Sequence, residues 1–112
     1  MITNILASVA VRQLDSAVQF YERILGPPTA RPVPEVAEWH FSGGGGLQVY
    51  ELPERAGHGS FTVSVTDIDE QLATLTAAGI PSPDPNRTPQ METIMIQDPD
   101  GNSIAFVRPK LD

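Results

Sequence analysis

Residues 60–79 read SFTVSVTDIDEQLATLTAAG, and residues 5–26 read ILASVAVRQLDSAVQFYERILG. These two stretches decide the fold, because each spells a strand, a helix and a glycine stop in the same order. In the later one Phe61, Val63 and Val65 alternate with Ser60, Thr62 and Ser64, the period-two pattern of a half-buried strand over 60–66. Asp67 is placed to cap a helix whose apolar positions are Ile68, Leu72, Leu75 and Ala78, ended by Gly79. In the earlier one Ile5, Ala7, Val9 and Val11 alternate with Leu6, Ser8 and Ala10, small or apolar on both faces as in a buried strand. Leu14, Ala17, Val18, Tyr21 and Leu25 then recur at helical spacing, with Asp15 or Ser16 as N-cap and Gly26-Pro27-Pro28 as the stop.

Outward from each strand–helix pair the order continues alike. Pro32 and Pro34 confine the next segment to an edge strand or an irregular arm. A strand is expected over 35–42, a hairpin turn at Gly43 to Gly46, and the returning strand over 47–52. In the second half the proline-rich segment 80–89 mirrors that arm. Strands over 93–97 and 103–107 then flank the turn Asp98-Pro99-Asp100-Gly101-Asn102. The chain is therefore expected to be α+β, with two tandem βαβββ modules, about 1–53 and about 60–112, joined by a linker at about 54–59. Its 112 residues suit one domain, 1–112, in which the modules form one cupped mixed sheet.

Bulk composition narrows the partners. A formal charge of -7 argues against nucleic acid and anionic membrane, which both need a basic footprint. It is compatible with a cationic small molecule, and equally with simple solubility. With no cysteine, disulfides, thiolate metal sites and cysteine nucleophiles are excluded. The N-terminal residues lack the basic and apolar segments of a signal peptide, and no apolar run approaches the ~18 residues of a membrane span. A cytoplasmic location is expected.

At three places the residues resemble one family. Val9-Ala-Val-Arg-Gln-Leu-Asp-Ser-Ala-Val-Gln-Phe-Tyr-Glu-Arg-Ile-Leu-Gly26 is similar to the opening of glyoxalase and bleomycin-resistance proteins, the vicinal oxygen chelate superfamily that also holds extradiol dioxygenases. Val63-Ser-Val-Thr-Asp-Ile-Asp69 with Leu75-Thr-Ala-Ala-Gly-Ile80 resembles the start of their second module. Ile96-Gln-Asp-Pro-Asp-Gly-Asn-Ser-Ile104 resembles their closing hairpin. The resemblance implies their fold, and it implies a homodimer, since a small cup gains core by pairing with a second copy. It also implies where a metal would be held, one ligand on each of four strands. Those positions fall on Leu6, Gln48, Ser60 and Ala105. Of these Gln48 could ligate, and one amide oxygen does not hold a catalytic divalent ion. No metal and no cofactor are expected, and neither glyoxalase I nor extradiol dioxygenase chemistry by the family mechanism.

Strand periodicity places the remaining cup-facing side chains. Ser8, Gln48, Tyr50, Ser60, Thr62, Ser64 and Ser103 share the inner face with the four positions. If Trp39 packs under a helix, Glu38 and His40 line the cup. The reverse assignment makes Trp39 a stacking surface for a ligand. Glu38 and His40 are the candidate catalytic pair, as orienter and general base. His58 reads as a loop residue. The glycines at 43–46 are not followed by Lys-Ser or Lys-Thr, so they are a hairpin tip and not a phosphate loop. Three readings follow: a metal-independent small-molecule binder with its ligand in the cup, a metal-independent isomerase or lyase using Glu38 and His40, and a non-catalytic structural or regulatory domain.

Overall fold

The alternation of apolar and hydroxyl residues at 60–64 produces a strand with Phe61 and Val63 half-buried while Ser60, Thr62 and Ser64 remain exposed. The same logic builds the other elements of the computed structural model, which describes residues 1–110. The first half contains β1 (Leu6–Val11), α1 (Leu14–Leu25), β2 (Ala30–Val33), β3 (Val36–His40) and β4 (Gly46–Glu51). A short 3₁₀ turn, Pro53–Arg55, leads to β5 (Ser60–Ser64), α2 (Ile68–Ala77), β6 (Asn86–Arg87), β7 (Met91–Gln97) and β8 (Ser103–Pro109). Residues 111 and 112 of the expected second module lie outside the described residues.

The strands form two four-stranded sheets, ordered β1-β4-β3-β2 and β5-β8-β7-β6. In each, the first strand runs parallel to the last and the remaining pairs are antiparallel. This is the expected βαβββ order, twice. The proline-rich arms end as the outer edges: β2 is four residues and β6 only two, because proline gives no N–H to a ladder.

Both helices start and stop for legible reasons, with one correction. Asp67 accepts from the backbone N–H groups of Asp69 and Glu70 at 3.0 and 3.1 Å and caps α2 as expected. For α1 the cap is neither Asp15 nor Ser16, which lie in its first turn. Gln13 occupies the N-cap without a side-chain bond. The N–H of Leu14 instead donates to Glu51 Oε1, at 2.9 Å. A carboxylate from the end of β4 thus satisfies the helix terminus from a distance, which no local pattern could reveal.

The core is one continuous cluster. Val9, Trp39 and Val49 of the first sheet and Ile94, Ile104 and Phe106 of the second are all 2% exposed or less and join both helices in it. Each such side chain removes on the order of 1.5–3 kcal/mol of apolar surface from water. Tyr21, on α1, touches Trp39 of its own module and Phe61 of the other, at ring-centroid separations of 5.8 and 6.3 Å.

The linker at 54–59 is packed. Ala56 is buried, and Gly57 sits at φ +86° with its would-be Cβ 2.3 Å from the carbonyl oxygen of Asp100. Only glycine fits there. The turn at 98–102 is the partner of this segment. Asn102, fully buried, donates from Nδ2 to the carbonyl of Ala10 and accepts from the N–H of Gly59, both at 2.8 Å. Arg12 pairs with Asp100 at 3.0 Å. The turn chemistry of the second half therefore fastens it to β1 of the first.

Candidate functional site: a polar row on the face away from the core

Register brings Ser8, Gln48 and Glu38 side by side across three strands, since Ser8 opposes Gln48 on β1 and β4, and Gln48 opposes Glu38 on β4 and β3. Directly paired side chains on one face stand close enough to bond. Ser8 Oγ donates to Gln48 Oε1 at 3.2 Å, and Gln48 Nε2 donates to Glu38 Oε2 at 3.1 Å. The other carboxylate oxygen, Oε1, lies 2.9 Å from His40 Nε2. An ionised carboxylate only accepts, so Nε2 carries the proton of that contact. The side chain of Glu38 is 18% exposed, that of His40 45%. The bond from His40, and then that from Gln48, holds the Glu38 carboxyl below the usual carboxylate range.

Leu6 lies beside this row. It opposes Gly46, which opposes His40, and its Cγ would be 3.0 Å from a Cβ at Gly46. Leucine stands at the first of the four positions that the resemblance assigns to metal ligands, and it offers no donor. At the other three positions stand Gln48, Ser60 and Ala105, of which alanine also offers no lone pair. Among the described residues no three His, Cys, Asp or Glu side chains are grouped to hold a metal ion. The residues present do not fit such a group.

Trp39 is corrected. It is 2% exposed, packed beneath α1, and its Nε1 donates to the carbonyl of Gly26 at 2.9 Å. It offers no stacking surface on the row's side. Tyr50, opposite Ala10 and Val36, is half-buried on that same side. His58 is an exposed loop residue.

The second sheet contributes separately. Ser60 opposes Ser103, Thr62 opposes Ala105, and Ser64 opposes Val107. Ser103 borders an open cleft of about 660 Å³ with Phe20, Arg23, Ile80, Met95 and Gln97. Thr62 and Ser64 border another, of about 480 Å³, with Ala7, Phe41 and the glycine turn. Sequence reading thus named a single cup whose members the structure divides. Ser8, Gln48, Glu38 and His40 come together, while Ser60, Thr62, Ser64 and Ser103 lie on the other sheet. It expected β7 as a strand over 93–97 but named none of its side chains for the site; there Met91, Thr93, Met95 and Gln97 face away from the core while Glu92, Ile94 and Ile96 are buried. The alternation METIMIQ carried that signal.

Both sheets turn their opposite faces into the common core, so in one chain the two polar-side faces look outward. The architecture finds its counterpart in known proteins. Residues 4–106 match the sequence pattern of the Glyoxalase/Bleomycin resistance protein/Dioxygenase superfamily. The chain belongs to that superfamily. Its structure is similar to a glyoxalase/bleomycin resistance protein from Catenulispora acidiphila DSM 44928, at 32% identity and TM-score 0.88, covering 97% of this chain and 100% of that one. It is also similar to TnmS3, an antibiotic binding protein from Streptomyces sp. CB03234, at 25% identity and TM-score 0.82, with 98% of each chain covered. A bleomycin resistance determinant encoded on transposon Tn5 shares the fold at 18% identity and TM-score 0.80, over 95% of this chain and 97% of that one. Among curated proteins none matches by sequence. A superfamily member with this strand order is a small-molecule-binding type of fold. Among its described residues no helix is long and apolar enough to cross a membrane.

Proposed function

We propose that this superfamily member is a metal-independent small-molecule-binding protein that acts as a homodimer, with its ligand held against the Ser8–Gln48–Glu38–His40 row. The observation that carries the reading is the row itself: side chains from three strands, bonded in series on a face turned away from the core. Such preorganised polar groups suit recognition, because they bind without first having to be ordered. Since the second sheet's outward face is open as well, a second copy supplies the missing wall of the groove. The antibiotic-binding protein TnmS3 supports a binding role by likeness. The cysteine-free chain suits a reducing compartment, and a cytoplasmic location, one domain over 1–112 and the absence of a cofactor belong to the same reading.

Subunit complementation tests it. Glu38→Gln and Met95→Ser chains, each tagged, are combined into purified heterodimers. A groove built from two chains regains half the ligand sites in the heterodimer; one built within a chain regains none. Thermal-shift screening against cationic and aromatic metabolites, with Ni, Zn, Fe and Mn as a separate set, identifies the ligand class. Saturable stabilisation by a divalent metal would overturn metal independence.

The Glu38–His40 contact favours a second reading, a metal-independent isomerase or lyase. With Nε2 held by Glu38, the imidazole Nδ1 is left as base. Turnover separates the two: an enzyme converts its ligand and loses that conversion in His40→Ala, whereas a binder releases its ligand unchanged with or without His40. A structural or regulatory domain would show no saturable ligand.

A further inference from the structure

The outer edge of β7 is paired along only part of its length. β6 meets it at Glu92 and Thr93. Pro81, Pro83 and Pro85 keep the segment before β6 from lengthening that ladder, since proline has no N–H to give. Beyond Thr93 the edge is therefore bare. The N–H of Asp98 donates to the carbonyl of Asn102 and closes the turn between β7 and β8. Antiparallel alternation from there turns the backbone of Ile96 toward β8, and that of Met95 and Gln97 toward the bare edge. The carbonyl of Met91 keeps the same alternation, accepting from Thr88 on the outer side. Among the described residues nothing pairs with the N–H or the carbonyl of Met95 or Gln97 on that side.

This edge opens into the cleft of about 660 Å³ between α1, the end of α2 and the β7–β8 turn. Bound small molecules commonly occupy pockets of ~300–1,000 Å³. Phe20, Ile80 and Pro81 give the cleft apolar lining, and Arg23 gives it a charge. Arg12, Arg31, Arg87 and Arg108 each pair with a carboxylate. Arg23 has no such partner among the described residues. Its guanidinium lies over the Phe20 ring, 5.7 Å from the centroid, and donates to the carbonyl of Ala78 at 3.1 Å. A guanidinium carries several N–H donors, so the rest remain for a ligand. Asp98 also lines the cleft, but it is buried and accepts from Tyr21, Asp100 and Asn102. Arg23 and Pro99 further border an adjoining cleft with Glu22, which sets the guanidinium at the turn end of the bare edge.

We infer that this cleft takes the end of an extended peptide. The peptide adds as a strand beside Met95 and Gln97, parallel to β7, with its free C-terminal carboxylate on Arg23 and an apolar side chain against Phe20 and Ile80. Main-chain bonds from a sheet edge supply affinity in this mode, and pockets for alternate side chains supply specificity. Met95 and Gln97 repeat at about 7 Å, the period of an extended chain's own donors and acceptors. No residue of the Ser8–Gln48–Glu38–His40 row lines the cleft, so the inference does not rest on the groove proposed above.

Its test is an amide-resolved NMR titration of the full chain with acetyl-Val-Ala-Leu, free at its C-terminus, and with the same peptide as its C-terminal amide. The free acid is expected to shift the Met95 and Gln97 amides saturably and to bind about tenfold tighter than the amide form. Arg23→Gln removes that preference, whereas Arg23→Lys keeps most of it. Arg23 is exposed, and thermal melts check that both variants fold. The peptide methylated at every backbone nitrogen binds more weakly, because it cannot donate to the edge. Equal affinity for acid and amide, or a preference unchanged in Arg23→Gln, overturns the carboxylate contact. An N-methylated peptide that binds as well overturns the added strand. Shifts centred on Ser8, Gln48 and His40 put the peptide against the row and overturn the site. No saturable shift overturns the inference whole.

Discussion

The hydroxyl of Tyr21 on α1 donates to Oδ2 of Asp98, in the turn between β7 and β8, at 2.8 Å across 77 residues of chain. Both groups are buried, and Asp98 also accepts from the backbone of Asp100 and Asn102. A helix of the first half is thereby joined to a turn of the second. Tyr21→Phe leaves the carboxylate one donor short, with an expected cost of about 1–3 kcal/mol by urea denaturation at neutral pH.

The same bond makes stability sensitive to alkali. Burial first, and then the Asp98 charge, pushes the Tyr21 phenol above its ordinary value of 10.0. Above that pH the unfolded chain loses the proton while the folded chain keeps it. Stability is thus complete below about pH 10 and declines as pH rises further. Urea midpoints measured from about pH 9 to about pH 11 should fall for the native chain, and less for Tyr21→Phe. Identical alkaline slopes would refute the assignment.

Asn102 answers for three contacts at once, to Ala10, Gly59 and Asp98. Asn102→Ala strips the partners from two backbone groups and is expected to cost about 3 kcal/mol. The loss should appear in chemical denaturation. If the variant is as stable as the native chain, the turn does not fasten the two halves.

Gly57 and Gly44 both have positive φ, +86° and +99°, yet alanine should act differently at each. At Gly44 the Cβ meets nothing within 4 Å, so the cost is the backbone term, about 1 kcal/mol. At Gly57 it lands 2.3 Å from a backbone oxygen, and the variant should lose about 3 kcal/mol or fail to fold. Equal melting temperatures would contradict the close approach.

Trp39 is the sole tryptophan and lies on the core side. Its emission should be that of a buried indole, with weak quenching by iodide. A ligand on the row should leave it unquenched by direct contact. Strong iodide quenching would restore the reversed strand assignment.

The carboxyl of Glu38 is held below its ordinary value of 4.5 by His40 first and Gln48 second. Its folded value being depressed, the contribution of the charged form is present above 4.5 and lost as pH falls through the lower folded value. An NMR titration of Glu38 should show its pKa rising in His40→Ala by more than in Gln48→Ala. The opposite order would assign the effect to Gln48.

Much of the fold was legible because it depends on local period. The strand and helix at 60–79 follow from alternation, a capping aspartate and a glycine stop, and the Asp98–Asn102 turn from its own residues. The cap of α1 was not legible, since Glu51 arrives from another strand. Nor was the packed linker, because Gly57 is required by a carbonyl 43 positions away at Asp100.

For the site, sequence determined the face on which the side chains of β1, β4, β5 and β8 stand, left two assignments open for β3, and showed that Leu6 and Ala105 cannot donate to a metal. Those are properties of residue type and of the two-residue strand period. Which polar groups meet was decided only by tertiary structure. Register sets Ser8 against Gln48 and Gln48 against Glu38, whereas Ser60, Thr62 and Ser103 go to a separate sheet. Periodicity specifies a face within one strand; the neighbour across the sheet, and the direction in which two sheets look, are fixed by the core they share.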